Sequence, residues 1–487
     1  MTDDATDFRP EARAPKGFAD RRARDIRAER AIVEAVSKVY ERYGFEPLQT
    51  SAFEYADALG KFLPDAERPN AGVFALQDDD DQWMALRYDL TAPLARFCAQ
   101  NWETLAKPFR RYAVGTVWRN EKPGPGRFRE FVQCDADTVG SARPEADAEI
   151  IAMAVEGLAA AGLPKGQAVI KINNRKLLNG LLTAAGVESE GQKLAVLRAV
   201  DKLDRLGPDG VRYLLGEGRK DESGAFTPGA KLNAKAAESV LAFVGAGGGS
   251  RVEVVARLAD VIGGSAEGDT GLAELDKIGA ALNGLGVGED AAIIDPSVVR
   301  GLEYYTGAVF EAELLVETGG ERFGSIGGGG RYDDLVARFT GQVTPATGFS
   351  FGVSRLASAL AAAGRAVAAE RGPVVVLVLD QDAMEDYFAV AAELRNAGIA
   401  TEVYLGTSGM KPQMKYADRR MSPAAVIIGG DERANGTATV KDLDLGRELA
   451  SGLTDNAAWR EGRPGQQTVA RADLVSVVKA IVEAARK

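Results

Sequence analysis

The segment PFRRYAVGTVWRNEKPGPGRFREFVQCDADTVG, residues 108–140, does most to limit the folds open to this chain. Two strand-like runs flank a Pro/Gly-rich loop at 122–126, which predicts a long antiparallel hairpin with arginines at both shoulders. Helical spacing brackets it. Ile26, Ile32, Val36, Val39, Tyr40 and Tyr43 recur so as to share one face of a helix over 25–43, and residues 145–163 read the same way. YGFEPLQTSAFEY (43–55) reads as a glycine stop and a proline-interrupted extended segment. QWMALRYDLTAPLARF (82–97) reads as a strand leading into a helix, with Pro93 acceptable in the first turn.

Beyond the hairpin, QAVIKIN (167–173) is a predicted strand. Residues 176–288 then turn rich in Leu, Ala and Gly, broken by GEGRKDESGAFTPGAK and GAGGGS, with no convincing strand run; this predicts a helical insertion. Strands return with AAIIDPSVVRGLEYYTGAVFEAEL, followed by the glycine cluster SIGGGGRYDDLV (325–336) and by TPATGFSFGVSRLASAL (344–360), a strand feeding a helix. The last part alternates strand and helix from GPVVVLVLD to AAVIIGG as a βαβαβ layer with buried parallel strands. At 487 residues the chain calls for two or three domains. The expected division is a core from 1–175 and 289–370, a helical insertion over 176–288, and an α/β unit over 371–487.

Composition narrows the chemistry. A hydrophobic fraction of 46% and a charged fraction of 26% are those of a soluble globular protein, and VVVLVL at 374–379 is too short to span a bilayer. The polar, acidic N-terminus lacks the apolar core of a signal peptide, so a cytoplasmic location is expected. Cys98 and Cys134 are the only cysteines; they exclude a disulfide scaffold and read as buried thiols. With 59 basic against 70 acidic residues the net charge is −11, so nucleic-acid binding would rest on local patches such as RRARDIRAER (21–30), KPFRR (107–111) and KPQMKYADRR (411–420). There is no histidine at all. That excludes a Ser-His-Asp triad, a His-ligated metal and a histidine proton shuttle, and leaves arginines, carboxylates, backbone donors, cysteines or added ions.

GGGGRYDD lacks the lysine and Ser/Thr of a phosphate loop and does not fit the dinucleotide GxGxxG pattern. Its glycines are expected to let backbone approach a ligand or to let strands bend. Arginines recur at comparable places, Arg119 in VWRNE, Arg300 in VVRGLEYY and Arg355 in FGVSRL. A guanidinium stays charged and forks onto phosphate or carboxylate, so three of them in strand-rich segments point to an anionic, phosphorylated ligand. Within VVRGLEYYTGAVFE (298–311), strand alternation would put Arg300 and Tyr305 on opposite faces. The expectation is therefore a loop bent at Gly301 that carries both, running into a strand in which Phe310, Ala312 and Leu314 share one face.

WRNEKPGPGRFREFVQCDAD resembles the second signature motif of class II aminoacyl-tRNA synthetases, FGVSRL resembles the third, and GFEPLQTSAF fits the first, at a dimer interface. RGLEYYTGAVFE and GGGGRYDDL look like the two signatures peculiar to the histidyl-tRNA synthetase family. The resemblance implies an α+β fold: an antiparallel-sheet class II catalytic domain with a helical insertion, and a C-terminal α/β anticodon-binding domain. It implies a homodimer that uses ATP with Mg2+, makes histidyl-adenylate and esterifies tRNA(His). Carried over residue by residue, it implies that Arg119 holds the α-phosphate, Glu121 positions the adenine side, Arg127 meets the outer phosphates and Arg355 clamps the nucleotide. Arg300 would bridge the histidine carboxylate and the α-phosphate; Asp89, Thr91 and Gln133 would receive the amino group. Asp137 and Tyr305 would touch the imidazole, with Tyr332 closing the pocket. Many bacterial relatives carry Glu where this chain has Asp89 and Asp137, and RYDLT and QCDAD look more like the eukaryotic branch.

The main rival of another class is a non-catalytic, synthetase-like regulatory subunit of the ATP phosphoribosyltransferase of histidine biosynthesis. Such paralogues usually lack the anticodon domain and degrade the arginine of RGLxYYTG; this chain keeps both. A stand-alone tRNA-binding or sensor module is a second rival, without chemistry. Under the ligase reading, a message without histidine codons escapes dependence on its own product. Ribosome profiling during histidine starvation is expected to show relative sparing of this message, and equal loss with the rest would remove the idea.

Overall fold

Side-chain alternation along eight strands builds one sheet with two unlike faces. Its strands are β1 (Glu46–Pro47), β2 (Phe109–Trp118), β3 (Glu130–Val139), β4 (Ala168–Asn174), β5 (Ala292–Ile294), β6 (Ala308–Thr318), β7 (Glu321–Arg331) and β8 (Ala346–Gly352). They lie in the order β1-β2-β3-β8-β7-β6-β4-β5, antiparallel except for the parallel pairs β1–β2 and β4–β5. The computed structural model describes residues 10–62, 72–124, 128–187, 189–220, 224–262, 264–299, 305–318, 321–364, 371–451 and 465–485. Arg127, Arg300 and Gly301 lie outside them.

Register fixes what each face presents. One transverse row runs Ile172, Phe310, Gly329, Phe349, Ala136, and the next Ile170, Ala312, Gly327, Phe351, Cys134. Apart from the two glycines, the side chains of both rows are buried in one hydrophobic core, together with Ala308 and Leu314. The expected common face of Phe310, Ala312 and Leu314 is therefore present. The covering helices are α1 (Ala23–Arg42), α3 (Pro144–Ala160) and α4 (Val353–Ala362), while α2 (Thr91–Asn101) joins a smaller apolar cluster. In α1, Ile32, Val36, Val39 and Tyr40 form the buried stripe, a Glu34–Lys38 pair stands on the outer surface, and Gly44 ends the helix at φ +78°. Ile150, Ile151, Met153 and Ala154 make α3 buried on several sides, and Gly157 lets it approach the ring of Phe351.

The glycine cluster lies within β7, in its C-terminal half. An alanine Cβ at Gly329 would stand 2.0 Å from the Gly348 carbonyl oxygen, and one at Gly327 would stand 2.9 Å from the ring of Phe349. A strand squeezed between neighbours that already fill its space accepts only glycine. At its end, Arg331 ties the sheet to α3 in a buried network. Its Nε and Nη2 donate to Asp147 Oδ2 at 3.0 and 2.6 Å, and its other donors reach the Ser141 and Arg143 carbonyls.

The described residues of 176–288 are largely helical, as expected, with one addition among them: a two-stranded ladder pairs Gly218–Lys220 with Phe226–Pro228. Three-residue strands rich in charge and proline leave no periodic signal, which is why sequence missed them. Leu178, Val196, Val240, Phe243, Leu258 and Leu282 belong to the same core as the sheet residues. The chain divides into two compact units, Met1–Val367 and Ala368–Lys487. In the second, β9 (Val374–Val376), β10 (Thr401–Val403), β11 (Ala424–Ile427), β12 (Thr437–Asp442) and β13 (Gln466–Ala470) lie in the order β10-β9-β11-β12-β13. The first three are parallel, as the βαβαβ pattern predicts; β12 and β13 extend the sheet antiparallel and were not foreseen. Both cysteines are buried free thiols. No helix among the described residues is long and apolar enough to cross a membrane.

Two outcomes follow for stability. Gly329→Ala should cost about 1–3 kcal/mol or more in denaturant unfolding, because backbone and not a flexible side chain blocks the new Cβ. Arg331→Met should cost about 3–5 kcal/mol, since it strands a buried carboxylate; a loss below about 1 kcal/mol would contradict the role given to this pair.

Candidate functional site

The polar face of the sheet holds the site. Gln133, Asp135 and Asp137 alternate along β3 onto this face, opposite Cys134 and Ala136. Transverse rows place Gly330, Gly348, Asp137 and Arg111 in one line, and Gly328, Ser350, Asp135 and Ala113 in the next. The glycines on β7 and β8 leave this face open near the carboxylates. A Cβ at Gly348 would overlap Asp137 Oδ1, and one at Gly330 would come within 2.8 Å of the Tyr305 ring.

Asp137 is the most enclosed of the expected site residues that are described, only 2% exposed. The Tyr332 hydroxyl donates to its Oδ1, and its Oδ2 lies 2.8 Å from Nη2 of Arg111. Arg111 is itself wholly buried and also donates to the Leu90 carbonyl. Burial pushes the Asp137 carboxyl up, opposed by the Arg111 charge and the Tyr332 hydrogen bond. Beside it, Ser350 donates to Asp135, and Gln133 Nε2 donates to Ser350 Oγ at 2.6 Å. Burial, then the neighbouring Asp137 charge, pushes Asp135 up to about 8, against the pull of Arg111. Gln133 Oε1 is buried without a hydrogen-bond partner among the described residues, an acceptor left over on the site face.

Asp89 precedes α2 and caps it: Oδ1 accepts the backbone N–H of Thr91 at 3.1 Å and of Ala92 at 2.9 Å. Burial raises its pKa, opposed by those N–H groups and by Arg119. Thr91 is thus the first residue of α2, and Asp89 stands within electrostatic range of both Arg119 and Asp137. Arg119 donates through Nε to the Tyr88 carbonyl at 3.1 Å and lies over the ring of Phe131. Arg355, in the first turn of α4, donates to the Phe323 carbonyl at 3.0 Å and lies over that ring. Glu121 sits exposed on the turn after β2, where its carbonyl receives Arg129. Tyr305 packs with Tyr332 against the apolar cluster that includes Leu94, Cys98 and Val139.

The structure therefore groups Asp89, Gln133, Asp137, Tyr305 and Tyr332 on or beside one sheet face, and puts Arg119 beside Asp89. Arg127 and Arg300 fall outside the described residues. Sequence reading missed Arg111, Asp135 and Ser350. The alternation in QCDAD carries a signal for Asp135, because polar residues at every second position share a face. Arg111 and Ser350 are visible only once strand register is known. The arrangement offers acceptors to a cationic group, a carboxylate–tyrosine wall to a polar ring, and flanking guanidinium groups to an anion.

The family model for "Histidyl-tRNA synthetase" matches residues 17–356, and that for "Anticodon binding domain" matches residues 373–481. A histidine–tRNA ligase of Caulobacter vibrioides is 75% identical over 484 residues, covering 98% of each chain. One of Ruegeria pomeroyi is 56% identical and covers 97% of each. Among solved structures, histidyl-tRNA synthetase from Nostoc sp. PCC 7120 is similar at a TM-score of 0.72 and 30% identity, over 97% of this chain and 100% of that one. A structure from Bacillus halodurans described as an ATP phosphoribosyltransferase regulatory subunit/histidyl-tRNA synthetase matches 84% of this chain and 97% of that one, with TM-score 0.66 and 22% identity, a likeness of fold alone. Over nearly its whole length, in its mixed α+β architecture and in its matched models, the chain belongs to the histidyl-tRNA synthetase family.

Proposed function

We propose that this chain ligates L-histidine to tRNA(His) through a histidyl-adenylate made from ATP. The observation that carries the reading is 75% identity to a histidine–tRNA ligase over 98% of the chain, and the polar sheet face is the place for the chemistry. Adenylation needs a carboxylate nucleophile to meet an α-phosphate in line while pyrophosphate leaves, so its cost is dominated by positioning and by charge. No histidine side chain of the protein is required for that.

Arg119 and Arg300 are assigned to the α-phosphate, Arg300 also to the substrate carboxylate, Arg127 to the outer phosphates, and Arg355 and Glu121 to the nucleotide. Asp89, Thr91 and Gln133 receive the amino group; Gln133 Oε1, buried and unpartnered among the described residues, suits an ammonium donor. Asp137, Tyr305 and Tyr332 take the imidazole. Such a hydrogen-bonding pocket rejects apolar isosteres by roughly 10⁴–10⁵-fold, which makes editing unnecessary. Mg2+ binds largely through substrate phosphates and one or two carboxylates, so a preformed cage is not required, and no cluster of three or more Asp, Glu or Cys side chains suited to a metal occurs among the described residues. In transfer to the tRNA, the proton goes to substrate phosphate or water.

Residues 1–175 and 289–370 form the catalytic core in this reading, 176–288 the insertion and 371–487 the anticodon-binding domain of a cytoplasmic homodimer. The regulatory-subunit alternative predicts no adenylation. Purified protein should exchange labelled pyrophosphate into ATP only when histidine is present, and Arg300→Ala should lower that exchange by about 10²–10³-fold. Full exchange in the variant would remove Arg300 from the mechanism; none in the parent protein would favour the regulatory alternative.

A further inference from the structure

Among the described residues Arg111 is the largest side chain that is wholly buried, and it lies on the site face rather than at an edge. A guanidinium does not release its proton, so its burial demands a fixed anion nearby. Asp137, its cross-strand partner, supplies that anion at 2.8 Å. An ionised carboxylate only accepts hydrogen bonds, and the Tyr332 hydroxyl has one proton, which it donates to Asp137 Oδ1. With that proton committed, the Tyr332 oxygen can act towards a further group only as an acceptor.

Resting on the proposed histidine pocket, we infer that Arg111 is a positioning residue: through Asp137 it fixes the Tyr332 hydroxyl as an acceptor, so that the pocket selects an amino acid whose ring carries an N–H. Several features hold this line in place. Gly348, opposite Asp137 in the register, has no side chain to push the carboxylate away from Arg111. The Leu90 carbonyl takes a second bond from Arg111 Nη2 at 2.9 Å and so anchors the guanidinium. Burial and the Asp137 charge keep the Tyr332 phenol neutral, far above its usual range. Turning that hydroxyl to face a ring without N–H would give up a charge-assisted hydrogen bond, which corresponds to a preference of about 10- to 100-fold.

The charged and titratable groups facing Arg111, Asp137 and Tyr332 are Asp135 and Cys134 on β3, Cys98 on α2, Asp89 ahead of it, Tyr40 on α1 and Arg87. Arg87 is the one cation among them, and its charge acts on Arg111 and Asp135, while Arg111 is the cation that holds Asp137. Without Arg111 only the Tyr332 hydrogen bond would oppose the effect of burial on Asp137, whose protonation would then begin at a higher pH. Loss of the carboxylate's charge frees Tyr332 to donate, and the selection for an N–H fails. The acid limb of kcat/KM for histidine would accordingly move to higher pH.

The test is amino-acid-dependent pyrophosphate exchange by the full chain, with L-histidine and with the alanine derivative bearing a thiazole ring, which has no ring N–H. Arg111→Met should reduce the preference for histidine by about 10- to 100-fold, mainly through KM, and move the acid limb upward by about one pH unit. Arg111→Lys, which keeps the charge, should leave the limb near its original position. If Arg111→Met lowers activity equally for both amino acids with an unmoved limb, the role is structural only and the inference is overturned. Should Arg111→Met not fold, Tyr332→Phe decides: a loss of preference of at least about 10-fold supports the relay, and an unchanged preference overturns it. A parent protein that exchanges with neither amino acid removes the underlying functional reading instead.

Discussion

Two facing residues, Asp137 on β3 and Gly348 on β8, set the condition on which the rest of the site depends. A carboxylate can point into a sheet face only where the neighbouring strand leaves room, and a Cβ at Gly348 would overlap it. Once seated, the carboxylate needs a compensating charge, which Arg111 provides from the other side. The pair then fixes Tyr332, which is packed in turn against the cluster that includes Leu94 of α2. A charge buried in this manner is costly by itself; it is tolerated because three strands and a helix converge on it.

The division of the sheet into unlike faces explains how a site with several buried carboxylates remains compatible with folding. Phe310, Phe349, Phe351, Ile170 and Ile172 place their apolar surface on one side, where α1, α3 and α4 cover it. Each fully buried aliphatic or aromatic side chain contributes about 1.5–3 kcal/mol. Raised carboxyl pKa values at Asp89, Asp135 and Asp137 are the cost on the other side, and all three have burial as their largest cause. Stability and chemistry are thus drawn from alternate residues of the same strands.

Local signals made much of this legible. The Pro/Gly loop announced the β2–β3 hairpin, the spacing of Ile32, Val36 and Tyr40 announced α1, and the alternation in GAVFEAEL announced the buried face of β6. Insertion of β8 between β3 and β7 was not readable, because pairing across some two hundred residues leaves no local trace. The partners that depend on it, Ser350 and Gly348, were invisible for the same reason, and so was Arg111, whose role needs the hairpin register. β13 escaped because its QQTVA run is polar and mostly exposed at a sheet edge. The resemblance supplied the roles of individual arginines, which spacing by itself limits only to a phosphorylated anion.

The glycines of β7 have a genetic consequence. Elsewhere in a core, a single-base change can exchange one aliphatic side chain for another of similar volume, and the structure absorbs it. At Gly327, Gly329 and Gly330 every missense change adds a Cβ, and each such atom would come closer than 3.0 Å to a neighbouring strand or ring. The code therefore contains no mild neighbour for these codons. Variation among related chains has to route around this short stretch, even though it contributes no functional side chain of its own.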